Sequence, residues 1–134
     1  MTSMIAINNT NDLKKLEQQI YNTRQTLNAY QSQKSSYVSA LNTTKKMVSG
    51  MNESLKYLTT AHDNLKKTFT ISGKTADAGN IEKTKDELNA AIKEVNSMID
   101  TMNKTIKSLT NSVNYYQNEL NKLNRKKQLL TVRQ

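Results

Sequence analysis

Alternate steps of three and four residues from Leu13 visit Leu16, Ile20, Thr23, Leu27, Tyr30, Lys34, Tyr37, Leu41, Thr44, Val48, Met51, Leu55, Leu58, His62, Leu65 and Phe69. Only Thr23, Lys34, Thr44 and His62 interrupt the apolar series. The same stepping resumes at Ile81 and runs through Lys85, Leu88, Ile92, Val95, Ile99, Met102, Ile106, Leu109, Val113, Tyr116, Leu120, Leu123 and Lys127 to Leu130, with the two Lys as its departures. A ridge that recurs every ~3.5 residues is the coiled-coil signature, because that spacing keeps one side of an α-helix turned toward a partner helix. The ridge fails between Phe69 and Ile81, where Ser72-Gly73-Lys74-Thr75-Ala76-Asp77-Ala78-Gly79-Asn80 supplies two Gly and several polar turn formers.

The pattern predicts an all-α chain: a single elongated antiparallel helical hairpin, coiled-coil-like, over residues 1–134. Its helices cover about 11–70 and about 81–131, joined by a turn at about 71–80, and residues 1–10 are expected to fray. Asn80 is the expected cap of the second helix, with Glu82, Asp86 and Glu87 near its positive end and Arg125, Lys126 and Lys127 near its negative end. Ser49-Gly50 is a candidate kink in the first helix, although the ridge keeps its phase across it. A reversal centred on Thr75 and Ala76 sets Leu41 opposite Leu109 and Tyr37 opposite Val113, and it gathers Tyr30, Tyr37, Lys34 and Tyr116 into one neighbourhood. A lone hairpin leaves one flank of its ridge wet. Tyr21, Val38, Met47, Tyr57, Met98 and Tyr115 widen the ridge toward such a flank, which implies a helical partner at a surface that includes Tyr30, Tyr37, Tyr116 and Lys34.

Composition narrows the chemistry. The chain has no Cys and one His, so it carries no disulfide framework, no thiol nucleophile and no cluster of soft metal ligands. Enzyme activity, a metal, a cofactor and a small-molecule substrate are therefore not expected. Met4-Ile5-Ala6-Ile7 falls short of the ~7 to 15 apolar residues of a signal-peptide core and the ~18 of a membrane span. Neither a membrane span nor a general secretory signal is expected. The formal net charge of +9 attracts polyanions without choosing among them. Arg125, Lys126, Lys127 and Arg133 form the sharpest basic concentration, with no acid after Glu119, but the other Lys are scattered among acids, which disfavours nucleic acid. His62 reads as a tolerated ridge residue. Lys34 reads as a polar ridge residue that fixes alignment, or one that reaches Glu119, and Lys85 and Lys127 as long side chains that extend to solvent.

Tyr115 and Glu119 stand four residues apart, hence on one face of the second helix. No other Tyr or Phe of the chain has an acid four positions later. With this pair, the chain resembles the small helical proteins of the Gram-positive type VII secretion system. Their export signal is Tyr or Phe, three residues, then Asp or Glu, on the second helix of a hairpin. Those proteins also often carry an aromatic-x-Gly turn; Ile71-Ser72-Gly73 occupies that place, with Ile where Trp is usual. At 134 residues the chain is longer than the WXG type and looks more like the α-helical proteins associated with LXG toxins.

The resemblance implies a targeting chaperone that binds the helical N-terminal domain of an LXG toxin beside a second small helical secretion partner. It further implies delivery to the secretion ATPase, with Tyr115 and Glu119 as export signal. The implied location is cytoplasmic before export, then secreted or at the cell envelope by a signal-peptide-independent route. Two other readings fit the pattern: a structural coiled coil or self-assembling scaffold, and a basic helical binder of nucleic acid or membrane.

Overall fold

A computed structural model describes residues 2–69 and 78–133, with side chains described for residues 10–67 and 80–131. The fold is all-α. Helix α1 spans Thr2–Phe69 and helix α2 spans Ala78–Arg133, and the two pack against each other as an antiparallel hairpin. The ridge explains this arrangement. Every ridge position of both helices with a described side chain is buried or half-buried except Tyr37, while most positions between them are exposed.

The helix limits differ from the expected ones for identifiable reasons. Helix α1 begins at Thr2 rather than near Asn11, because the ridge marks where packing starts, whereas no Gly or Pro before Asn11 stops the backbone hydrogen bonding. Helix α2 begins at Ala78, which makes Asn80 its third residue and not its cap. The Asn80 carbonyl instead accepts a 2.9 Å hydrogen bond from the Thr84 hydroxyl, one turn on. The Ile71 and Gly73 turn motif lies outside the described residues. Lys66 and Lys67 occupy the last turn of α1, where cations oppose the exposed carbonyl end.

Packing falls into two compact units. The first joins Met1–Tyr37 to Thr105–Gln134. Its core is Leu16, Ile20, Leu27 and Leu120, with Val113, Tyr116, Leu123 and Leu130 packed against it. Burying each such Leu or Ile contributes about 1.5–3 kcal/mol. An ion pair of Glu17 and Lys127 at 3.8 Å and a stack of Tyr30 on Tyr116 tie its two helices together. These contacts correct the expected register. That register sets Tyr30 against Asn121 and Glu17 beyond Arg133, more than one helical turn too far along α2. The reversal itself, expected at Thr75 and Ala76, lies outside the described residues. Lys127 is accordingly an interhelical partner and not only a solvent-directed side chain.

The second unit, Val38–Lys104, buries Leu41, Val48 and Ile92, and with them the polar Thr44 and His62. Thr44 resolves its conflict locally: its hydroxyl donates to the Ala40 carbonyl at 2.8 Å. The same bond to the carbonyl four residues earlier recurs at Thr26, Thr43, Thr59, Thr60, Thr84, Thr101, Thr110 and Thr131. A Thr-rich chain can stay helical because the hydroxyl bonds within its own helix and does not compete with it from outside. His62 has no equivalent solution. It is 5% exposed, and its Nε2 has no hydrogen-bond partner among the described residues.

Helix α1 runs through Gly50 without a break, and a Cβ added there would meet nothing within 4 Å. Gly50 is thus a helical glycine facing open space. Gly50→Ala is expected to raise the free energy of unfolding by about 0.5–1 kcal/mol, measured by denaturant melts, because Ala loses less backbone entropy on folding. His62→Leu is expected to stabilise by about 1 kcal/mol, since an apolar side chain of similar size removes the cost of an unpaired buried nitrogen. A destabilised His62→Leu protein would show that the imidazole is satisfied in solution.

Candidate protein interaction site

The sequence-predicted residues are grouped on α2 and the facing stretch of α1. Tyr116 belongs to the ridge. Its ring stacks on that of Tyr30 with centroids 5.5 Å apart and planes 16° from parallel. Tyr115, the next residue, is turned about 100° around the helix axis and is 58% exposed. Its ring meets that of Tyr116 edge-on at 5.1 Å and 86°. Three phenol rings thus form one run from the helix interface outward, and edge-to-face contact is a favoured arrangement because the positive ring edge meets a negative ring face. The inner ring buttresses the exposed one.

Glu119 lies one turn after Tyr115. Its carboxylate takes a 3.3 Å hydrogen bond and ion pair from Lys122, on the same helix. The pair joins an exposed Lys to a half-buried Glu on one helix and contributes about a few tenths of a kcal/mol. Glu119 does not pair with Lys34. Lys34 is half-buried in the ridge of α1, and among the described residues no ion pair joins it to an acid. Tyr37 was expected beside Tyr30 and Tyr116. It is 41% exposed and enters no described ring contact; the described ring contacts join Tyr30, Tyr115 and Tyr116.

The exposed apolar residues do not form the single flank the sequence implied. Tyr21, Val38, Met47, Tyr57, Met98 and Tyr115 are all exposed, but in heptad terms Tyr21 and Val38 flank the ridge of α1 on one side and Met47 and Tyr57 on the other. Within the first unit the two flanks of α2 are chemically distinct. One carries Asn114, Gln117, Asn121, Asn124 and Gln128. The other carries Tyr115, Glu119, Lys122, Lys126 and Leu129, and Leu129 is 61% exposed. Sequence reasoning missed Leu129, although its spacing of two heptads from Tyr115 marks it as a neighbour on that flank.

That flank also holds a groove of about 360 Å³ lined by Asp12, Lys15, Leu16, Gln19, Lys126, Leu129 and Leu130. It lies between the first part of α1 and the last part of α2. Among the described residues no three His, Asp or Glu side chains gather to hold a metal ion, and no helix is long and apolar enough to cross a membrane. What the surface offers is apolar contact edged by charge.

The geometry defines the class as a two-helix antiparallel hairpin. Compared with protein-family models, with curated proteins and with solved structures, the chain matches none.

A double-mutant cycle on Tyr30→Leu and Tyr116→Leu, read by urea unfolding, is expected to give a coupling of about 0.5–1.5 kcal/mol beyond the loss of buried area. Tyr37→Leu paired with Tyr116→Leu is expected to be additive.

Proposed function

We propose that this protein is a targeting chaperone of a type VII secretion system. In this reading it covers the helical N-terminal domain of an LXG toxin, beside a second small helical partner, and contributes a Tyr-x-x-x-Glu export signal read by the secretion ATPase. The observation that carries the reading is the display of Tyr115 and Glu119. Both project from one flank of α2, and the Tyr115 ring is held edge-on by Tyr116.

A receptor gains most from an exposed aromatic side chain that is already ordered, because less rotamer freedom is lost when it binds. Glu119 adds a carboxylate one turn away. Its bond to Lys122 is weak enough to be exchanged for a basic group of the receptor. Apolar residues left exposed beside the ridge supply the cargo-binding surface, and the toxin's helices shield them during transfer.

Tyr115→Ala and Glu119→Ala are each expected to leave helicity, measured by circular dichroism, and toxin binding, measured by co-purification, unchanged while secretion stops. Tyr115 is 58% exposed, and the Glu119 side chain is half-buried with Lys122 as its only described ion-pair partner, so a general loss of folding is not expected. Normal secretion of the double variant would falsify the export assignment.

A further inference from the structure

We propose that the groove bounded by Leu16, Leu129 and Leu130 seats an acidic amphipathic helix of the protein's partner, a proposal that rests on the adaptor reading above and specifies its contact surface. Leu16 and Leu130 belong to the ridges of α1 and α2 and form the apolar floor, and Leu129 stands beside them with its side chain in solvent. Between Tyr115 and Leu129 the same flank of α2 carries Glu119, Lys122 and Lys126, so the apolar contact is confined to the groove and leaves Tyr115 outside it. The opposite flank of α2 over the same stretch is a row of Asn and Gln amides, with no apolar side chain to match Leu129.

Charge chooses the occupant. Lys15 on α1 and Lys126 on α2 line the groove, against the single carboxylate of Asp12. Arg125 adjoins Lys126 in the sequence, and no acid follows Glu119. A docked helix therefore meets cations on both sides of its apolar stripe, and Glu or Asp at its flanking positions complements them. A second copy of this chain is the wrong partner, because each copy carries +9 and brings Lys and Arg to the same place.

The test uses the full chain and a fluorescent synthetic helix of about three heptads with Leu at its core positions and Glu at the flanking ones. Its counterpart carries Lys in place of Glu. The Glu peptide is expected to bind, with affinity falling as salt rises, and to bind about tenfold more weakly or worse to Leu129→Asn and to Lys126→Glu, while Tyr21→Asn on the other flank binds normally. Unchanged circular dichroism checks that the variants fold. Equal binding of the Lys peptide, indifference to both groove variants, or loss only in Tyr21→Asn overturns the proposal. Sedimentation that shows a dimer abolished by Leu129→Asn overturns it as well, by assigning the groove to a second copy. If the groove variants leave the Glu peptide bound while Tyr115→Ala still blocks secretion, the groove assignment fails and the adaptor reading stands. Binding as expected with secretion indifferent to Tyr115 and Glu119 gives the reverse.

Discussion

Two helices can shield each other only along a line. A pair has a seam and no interior, so among the described residues no large side chain is sealed from solvent, and even Leu27 in the centre of its cluster remains 4% exposed. This limit explains how a chain that is 35% hydrophobic folds at all: it needs apolar residues at two positions in seven, not throughout. It also explains why polar residues enter the seam at small cost. Lys34 and Lys127 can extend their amines outward, and Thr44 turns its hydroxyl back onto its own helix.

The same limit creates the candidate site. A seam shared by two helices has two open sides, and here the sides of α2 differ in composition. Amides on one side are content in water; Tyr115 and Leu129 on the other are not. Successive tyrosines divide the work between fold and surface, because Tyr116 stacks inward on Tyr30 while Tyr115 leans on it from outside. Whatever reads Tyr115 reads a ring whose orientation the helix pairing has already fixed.

The fold was legible because the ridge has one period on both sides of a single interruption, and a periodic signal survives errors at individual residues. The described positions predicted from it, Tyr37 excepted, are buried or half-buried even where the residue is His62, Thr44 or Lys34. Register was less legible. It depends on where each helix ends, and apolar spacing does not mark Thr2, Phe69 or Ala78 as ends. The error of more than one turn set Tyr37 beside Tyr116, whose ring instead meets Tyr30 and Tyr115, and left open a reach from Lys34 to a carboxylate that Lys122 holds. For the site, the Tyr115 and Glu119 spacing was readable, whereas the groove depends on two segments meeting across the hairpin and is absent from either segment alone.

An uninterrupted helical ridge also constrains how such a chain can change in size. One residue inserted inside α1 or α2 rotates everything beyond it by about 100°, which turns the downstream Leu and Ile outward and carries Asn and Lys into their places. Tolerated growth or shortening is therefore quantised: whole heptads, removed or added on both arms together, preserve the phase that a single codon destroys.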